Sequence, residues 1–392
     1  MPASPFEPAS LGPVTLRNRT IKSATFEGMT PEGLVSDRLI EFHRRFAAGG
    51  VGMTTLAYCS VSTEGRTYRD QIWMRPDAVA GLRRLTDAVH AEGGAAAVQL
   101  GHAGWFGNPR ASGQTTIGPT RMFSPYGFTF PREMTSADFA RLTDDYRRAA
   151  QLAVEAGFDA VEVHVGHGYL LSQFLSPFTN KRTDEWGGPI ENRARFPRQA
   201  LEAVREGAGS DVAVYAKLNM DDGFRSGLQI DDGIEAARMI ETDGSVDALE
   251  LTGGFTARSP MYLMRGEPPV AAMLETTPSL LHRVGLRLGA KKLMREYPFE
   301  EGFFLPNARR FREAVDLPLI LLGGIKSRDT IVSAIDEGFE FVAMARALLR
   351  EPDLVNRYAA GEADESLCVP CNRCMAEMDR DGTRCVFAAD PV

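Results

Sequence analysis

Eight short apolar runs, each followed by an amphipathic segment, constrain the fold of this chain more than any other feature. The runs are rich in Val, Ile and Ala, as buried parallel strands require. They span residues 20–25, 51–60, 94–100, 159–165, 212–219, 247–254, 318–324 and 340–346. This alternation is typical of parallel α/β folds, and the lack of a G-x-G-x-x-G turn after the first run disfavours an open dinucleotide-binding sheet. The sequence therefore predicts an α/β fold of the (β/α)8, or TIM, barrel class.

The predicted barrel occupies about residues 1–350 of the 392-residue chain, and residues 351–392 form a C-terminal extension. Between the sixth and seventh runs lie residues 255–317, a stretch too long for one helix and its loops. We expect an insertion at the rim of the barrel or a subdomain there. Within it, residues 278–297 combine apolar and basic side chains at helical spacing. This pattern is typical of a helix that caps the barrel, or of one that contacts a membrane surface or a hydrophobic partner.

Charge and hydropathy argue against several classes of protein. The formal net charge is -8 and the sequence pI is about 5.5, which argues against a nucleic-acid partner. The amino terminus lacks the basic and then apolar pattern of an export signal. No apolar run approaches the roughly 18 residues that are needed to span a bilayer. We therefore expect a cytoplasmic protein that acts on small molecules.

His164 lies at the end of the fourth apolar run, and His167 and Tyr169 follow that run directly, in the segment HVGHGYLL. The carboxyl ends of barrel strands form the rim that holds catalytic groups, so these side chains are expected there. Two imidazoles and a phenol can bind an anionic oxygen and donate a proton. A zinc pair or buried structural histidines are the alternatives. The spacing of three, in a loop with Gly166 and Gly168, does not suit two metal ligands on one helix face.

The stretch from residue 164 to 196, HVGHGYLLSQFLSPFTNKRTDEWGGPIENRARF, resembles the signature of the Old Yellow Enzyme family of FMN-dependent ene reductases. The resemblance extends to about residue 350, strongly in this segment and more faintly elsewhere. It implies an enzyme that uses FMN and NAD(P)H to reduce the C=C bond of activated alkenes, such as α,β-unsaturated carbonyl compounds. It also implies that His164 and His167 hydrogen-bond the substrate carbonyl oxygen and that Tyr169 protonates the α-carbon. A homo-oligomer is expected as well.

Candidate flavin ligands end several of the predicted strands. Gln99 in VQLGHAGW resembles the family's glutamine on the pyrimidine side of FMN, and Lys217 supplies a cation where the family usually has arginine. A lysine after an apolar run is costly to bury unless it is paired, which favours a flavin counter-charge. LLGGI and MARAL end the last two strands, where barrels bind phosphate through backbone N–H groups. These segments supply Gly323, Gly324, Ala345 and Arg346, and the resemblance adds Ala24, Thr25 and Tyr58 as further contacts.

Four of the five cysteines lie within the final 25 residues, whereas Cys59 stands alone. The four are Cys368, Cys371, Cys374 and Cys385. Their spacing, C-x2-C-x2-C-x10-C, suits a [4Fe-4S] cluster or a tetrahedral zinc ion, and an unmetallated tail is the third alternative. The tail resembles that of trimethylamine dehydrogenase and 2,4-dienoyl-CoA reductase, multidomain relatives with a four-cysteine cluster at the corresponding place. A cluster would favour the alternative function of an FMN/iron-sulfur dehydrogenase of an amine or related substrate that passes electrons to a separate acceptor protein.

Overall fold

Eight parallel strands close into a barrel, which confirms the predicted fold class. The computed structural model describes residues 4–277, 280–378, 380 and 382–388. Its strands are β1 (Ala9–Leu11), β2 (Val14–Leu16), β3 (Thr20–Phe26), β4 (Met53–Ser60), β5 (Ala95–Gly101), β6 (Ile117–Gly118), β7 (Arg132–Glu133), β8 (Ala160–Val165), β9 (Ala213–Asn219), β10 (Ala248–Thr252), β11 (Leu319–Leu321) and β12 (Phe341–Met344). The barrel order is β3-β4-β5-β8-β9-β10-β11-β12, and β12 pairs with β3 to close it. The two short pairs, β1 with β2 and β6 with β7, lie outside this sheet.

Helices connect the barrel strands. Within the described ranges they are α1 (Asp37–Ala48), α2 (Val79–Ala91), α3 (Pro109–Ser112), α4 (Ser136–Glu155), α5 (Leu170–Leu175), α6 (Ile190–Arg193), α7 (Arg195–Ala208), α8 (Ile230–Asp243), α9 (Pro260–Met264), α10 (Val270–Thr276), α11 (Leu280–Leu293), α12 (Leu305–Arg312), α13 (Arg328–Asp336), α14 (Arg346–Arg350), α15 (Leu354–Ala360) and α16 (Cys374–Glu377). α4 begins after Thr135, whose N–H donates to Asp138 Oδ2 at 2.7 Å in a capping box. Its buried residues Leu142, Tyr146 and Ala149 recur at helical spacing and form one packed face. None of the helices in the described ranges is long and apolar enough to cross a membrane.

The barrel interior has an apolar layer at the amino-terminal end of the strands. In it, Tyr215 packs among small side chains, and its hydroxyl lies 3.1 Å from Thr55 Oγ1. These small side chains belong to Ala97, Ala160, Ala213 and Ala248 on four neighbouring strands. Leu11 and Leu16 of the β1–β2 hairpin belong to the same apolar cluster and close this end of the barrel. The polar side chains of the barrel interior lie further along the same strands, at the end where barrels hold their active sites.

The long insertion between β10 and β11 contains α9, α10, α11 and α12. Among the described side chains of its amphipathic helix α11 Ala290 is buried, and so is Met294 directly after the helix. Val284 and Leu288 instead face solvent, with 45% and 83% of their surface exposed. Both interpretations of this helix, a cap on the barrel and a contact with a membrane surface or a hydrophobic partner, stay predictions.

The C-terminal extension packs on the carboxyl-terminal rim of the barrel. The backbone N–H of Thr383 donates to the carbonyl oxygen of Glu27 at 2.7 Å. Gly28 has a φ of 69°, and a Cβ there would lie 2.8 Å from the carbonyl oxygen of Met378. Both its conformation and the space around it thus require glycine. These contacts place the C-terminal extension beside the end of β3, at Phe26, Glu27 and Gly28.

Candidate active site

His164, His167 and Tyr169 meet at the carboxyl-terminal end of β8. The ring centroid of His164 lies 5.0 Å from that of His167 and 4.7 Å from that of Tyr169. The chain turns sharply here, because His167 (φ 58°) and Gly168 (φ 79°) both adopt left-handed conformations. The side-chain oxygen of Asn219 accepts a hydrogen bond from the His167 N–H at 3.0 Å. This bond holds the left-handed conformation of His167, which is unfavourable for a residue with a side chain, in place.

The three side chains of this corner are neutral at neutral pH. Burial lowers the pKa of His164 well below its usual value, and burial with the charge of Lys217 lowers the pKa of His167 to about 3. Burial also raises the pKa of Tyr169 above its usual value. His167 Nε2 pairs with Thr252 Oγ1 at 2.8 Å, whereas His164 Nδ1 is buried without a hydrogen-bond partner among the described residues. The corner therefore offers uncharged hydrogen-bonding groups, and one of them is left for a ligand.

A buried ion cluster lies inside the barrel next to this corner. Lys217 Nζ lies 3.0 Å from Glu162 Oε1 and 3.1 Å from Glu250 Oε1. Ser23 Oγ accepts a hydrogen bond from the same ammonium group at 3.2 Å, and Gln99 Nε2 donates to Glu162 Oε1. Burial alone would lower the pKa of Lys217, but the two carboxylates outweigh burial and raise it. Lys217 is therefore a charged group that lies between two buried carboxyl groups.

Glu162 and Glu250 were not predicted from the sequence, although the sequence contains a pattern that could have identified them. Each is a carboxylate inside an apolar strand, in DAVEVHV and DALELTGG, just as Lys217 is a cation inside one. What the sequence does not show is the register that joins them. Glu250 pairs directly with Lys217 across β9 and β10, and Glu162 pairs with Gln99 across β5 and β8.

The unsatisfied oxygens of this cluster fit the ring of FMN. Glu162 Oε2 and Glu250 Oε2 are buried and have no hydrogen-bond partner in the part of the chain that the structure describes. Burial raises the pKa of Glu250 to about 7. A buried polar oxygen without a partner is costly, and the pyrimidine part of a flavin presents both an N–H donor and carbonyl acceptors. The carboxylates, Gln99 and Lys217 together match such a mixed edge.

The predicted phosphate-binding glycines follow β11. Gly323 has a φ of 134° and Gly324 a φ of 72°, conformations that L-amino acids with side chains rarely adopt. A Cβ on Gly324 would also lie 2.8 Å from a ring atom of Phe303 in the insertion. Phe299, Phe303 and Phe304 of the insertion thus fill the space beside the two glycines, and the role of Gly323 and Gly324 in phosphate binding stays a prediction.

Arg346 connects this rim to the cysteine segment. It begins α14 directly after Ala345, and its guanidinium donates to Asn372 Oδ1. Burial lowers the pKa of Arg346. The Arg346 side chain therefore contacts the C-terminal extension in this structure. Arg346 follows β12, the strand next to β11, which Gly323 and Gly324 follow.

The four tail cysteines and Arg346 line one small cavity. Burial raises the pKa of Cys368 to about 11 and that of Cys374 to about 12, while the charge of Arg346 opposes both shifts. Within the described residues, no group of three or more His, Cys, Asp or Glu side chains is close enough to hold a metal ion. Cys368, Cys371, Cys374 and Cys385 thus share a cavity without forming a ligand cage.

The remaining predicted flavin contacts also lie at this rim. The ring of Tyr58 is 5.2 Å from that of Tyr169, so Tyr58 borders the catalytic corner. Ala24 and Thr25 are half-buried at the end of β3, and Thr25 Oγ1 accepts a hydrogen bond from Lys22 Nζ at 2.8 Å. The structure therefore distributes the predicted residues over one end of the barrel, from Thr25 around to Arg346.

Comparison with known proteins gives matches over nearly the whole chain. The model of the NADH:flavin oxidoreductase / NADH oxidase family matches residues 4–251. A 4,4'-dithiodibutanoate disulfide reductase from Rhodococcus erythropolis is 53% identical over 381 residues, which cover 97% of this chain and 94% of that protein. A metal reductase from Desulforamulus reducens is 32% identical, and the match covers 94% of this chain but 50% of that protein. This chain therefore spans about half the length of the second relative.

Solved structures share the barrel. The complex of 2-naphthoyl-CoA reductase with 2-naphthoyl-CoA superimposes with a TM-score of 0.81 at 27% identity, and the match covers 98% of this chain and 56% of that one. Morphinone reductase in complex with tetrahydroNAD superimposes with a TM-score of 0.70 at 24% identity, covering 93% of this chain and 92% of that one. The likeness to morphinone reductase shows the fold alone.

Proposed function

This chain belongs to the NADH:flavin oxidoreductase / NADH oxidase family of FMN-dependent enzymes, and we propose that it reduces activated alkenes with electrons from NAD(P)H. The observation that supports this proposal is the meeting of His164, His167 and Tyr169, all neutral, at the rim of the barrel. Neutral donors can stabilise a developing enolate oxygen and then supply a proton. Gln99, Lys217 and the backbone of Gly323 and Gly324 would hold the flavin.

The chemistry that FMN supplies when bound is hydride transfer to the β-carbon of the alkene. Negative charge then develops on the substrate's carbonyl oxygen, and the imidazoles of His164 and His167 would hydrogen-bond it. Tyr169 gives its proton to the α-carbon, which completes the saturated product. Because burial raises the pKa of Tyr169, the phenol keeps this proton at neutral pH until the carbanion forms.

Reduction of an organic disulfide is the second candidate, and the 53% identical disulfide reductase favours it. The same corner suits this chemistry. An electron pair enters one sulfur, the S–S bond breaks, and Tyr169 protonates the departing thiolate. Two electrons and one proton come from NAD(P)H and the second proton comes from solvent through Tyr169, so that one disulfide yields two thiols.

An anaerobic assay with both substrate classes tests these proposals. We expect the purified holoenzyme to oxidise NADH or NADPH faster when cyclohexenone or 4,4'-dithiodibutanoate is added than without an acceptor. Formation of cyclohexanone supports alkene reduction, and formation of free thiol supports disulfide reduction. If neither compound accelerates reoxidation of the reduced flavin, both proposals are wrong.

We also propose that the cysteine segment binds a metal, either a [4Fe-4S] cluster or zinc, because four thiols line one cavity beside Arg346. Cys374→Ser is expected to lose iron and sulfide, or zinc, and to keep FMN, since a four-ligand site rarely tolerates the loss of one thiolate. Anaerobic purification followed by metal, sulfide and flavin analysis measures this. Cys59→Ala is the control, because Cys59 is buried in β4 and lies outside the cavity. Equal metal content in the two variants would contradict the assignment.

A cluster would support the alternative in which an amine or related substrate is oxidised and electrons leave to a separate acceptor protein. The exposed side chains Leu367 and Val369 flank Cys368 and would lie nearest to such a partner. Metal analysis decides first whether this alternative needs testing, because zinc cannot relay electrons. The expected homo-oligomer stays a prediction.

A further inference from the structure

Arg258 is a cation at the barrel rim that no carboxylate in the described residues neutralises. It follows β10 in the loop that leads to α9. Two arginines of the segment between β8 and α7 are paired, Arg182 with Asp184 and Arg193 with Asp232, the second pair at 2.7 Å. Arg258 instead lies over aromatic rings, 4.8 Å from the centroid of Phe178 and 4.9 Å from that of Phe224.

Cation–π contact with these two rings holds the Arg258 guanidinium without using its N–H groups as hydrogen-bond donors. The attraction acts between the positive charge and the rings, so the N–H donors are left for an anion. A guanidinium held in this way matches a carboxylate with two parallel hydrogen bonds. Arg258 is exposed, so an anionic group can reach it from solvent.

The loop with Arg258 is attached to the catalytic loop. The N–H of Thr256 donates to the carbonyl oxygen of His167 at 2.9 Å, and His167 and Phe255 form a β-bridge. Ser259 Oγ accepts a hydrogen bond from the Phe255 N–H at 2.9 Å and donates to the carbonyl oxygen of Asp222 at 2.6 Å. The position of Arg258 is therefore fixed relative to the His164–His167–Tyr169 corner.

An aromatic layer lies between the catalytic corner and Arg258. Phe255 is buried against Gly168, where a Cβ would lie 2.5 Å from its ring. The Phe255 centroid lies 5.8 Å from that of Phe178 and 5.9 Å from that of Phe224, the two rings beneath Arg258. Phe255 itself is 1% exposed, so a ligand that runs from the catalytic corner to Arg258 would contact the half-buried rings of Phe178 and Phe224. This arrangement suits a short apolar spacer that ends in an anionic group.

We propose that Arg258 binds a carboxylate of the substrate, so that the preferred substrates are small organic anions. The inference rests on the proposed function and narrows its substrate class. It applies to both candidate reactions, because the carboxylate is bound away from the bond that is reduced. The disulfide 4,4'-dithiodibutanoate has this form, with three methylenes between each sulfur and its carboxylate.

Arg258→Gln is expected to raise the KM for 4,4'-dithiodibutanoate about 10- to 100-fold, the usual effect of losing a charged hydrogen-bond donor. The KM for the uncharged bis(2-hydroxyethyl) disulfide and the kcat for both compounds should change little. Arg258→Lys keeps the charge but loses the planar guanidinium, so its KM for the dianion should lie between those of the wild type and Arg258→Gln. Arg148→Gln is the matched control, since Arg148 is exposed on α4 and its removal also takes one positive charge from the protein. An unchanged KM for the dianion in Arg258→Gln, or equal rises for both disulfides, would overturn the inference.

A binding experiment separates this inference from the proposed function. Phenol and 4-hydroxybenzoate differ by one carboxylate, and each can be titrated into the oxidised holoenzyme while flavin absorbance is recorded. We expect Arg258→Gln to weaken 4-hydroxybenzoate binding about 10-fold or more and to leave phenol binding unchanged. If the wild-type enzyme reduces neither disulfide nor alkene, the proposed function fails, yet this titration still decides whether Arg258 binds carboxylates. Equal affinities of the wild type and the variant for 4-hydroxybenzoate would refute it.

Discussion

Replacement of Tyr169 by phenylalanine is expected to slow reoxidation of the reduced enzyme by cyclohexenone roughly 10²- to 10⁴-fold, the usual range for loss of a general acid. The substitution removes only the hydroxyl, so the ring contacts with His164 and Tyr58 remain. Reduction of the flavin by NAD(P)H should be unchanged, because that half-reaction needs no proton at the α-carbon. Stopped-flow measurement of the two half-reactions separates these effects.

Tyr58→Phe is the matched control for this prediction. Tyr58 lies 5.2 Å from Tyr169, centroid to centroid, but its hydroxyl already donates to the carbonyl oxygen of Gly65 at 2.8 Å. Its loss should therefore change stability more than the rate of alkene reduction. If Tyr169→Phe reoxidises as fast as the wild type, the phenol is not the proton donor. The same outcome for a disulfide substrate would mean that its thiolate leaves without help from Tyr169.

Lys217→Met is expected to lower the free energy of unfolding by about 3–5 kcal/mol near neutral pH, the usual cost of removing one partner of a buried ion pair. The variant leaves Glu162 and Glu250 facing each other without a cation inside the barrel. It should also bind FMN poorly, because the pyrimidine edge loses its positive partner. Chemical denaturation and flavin content after gel filtration measure the two effects. Lys217→Arg, which keeps the charge, is the control and should retain most of the stability.

The loss in Lys217→Met should depend on pH with a definite sign. In the native protein the pKa of Glu250 is about 7, above its value in an unfolded chain. The stability that this raised pKa contributes is fully present below the unfolded pKa and is lost as pH rises through about 7. The charge of Lys217 lowers the pKa of Glu250, so without it Glu250 takes up its proton at a higher pH than in the wild type. The deficit of Lys217→Met relative to the wild type should therefore shrink as the pH falls from about 8 to about 5. An equal deficit at both pH values would exclude unpaired carboxylates as its cause.

The sequence by itself determined the barrel, because each of its eight strands is encoded locally by an apolar run with turn residues beside it. It also placed His164, His167 and Tyr169 on one short segment, so their proximity follows from a few backbone turns. The same logic identified Gln99 and Lys217, since a polar side chain inside an apolar strand needs a partner. These predictions depend only on neighbours along the chain.

Tertiary structure alone decided which distant residues became those partners. Strand register joins Lys217 to Glu162 and Glu250, and closure of the barrel brings Ser23 of the first barrel strand to the same ammonium group. The loop after β10 likewise brings Arg258 onto aromatic rings from two other loops. The physical reason is that such contacts form between side chains far apart in sequence. Their energies depend on register, burial and the packing of whole elements, none of which is encoded in a local pattern.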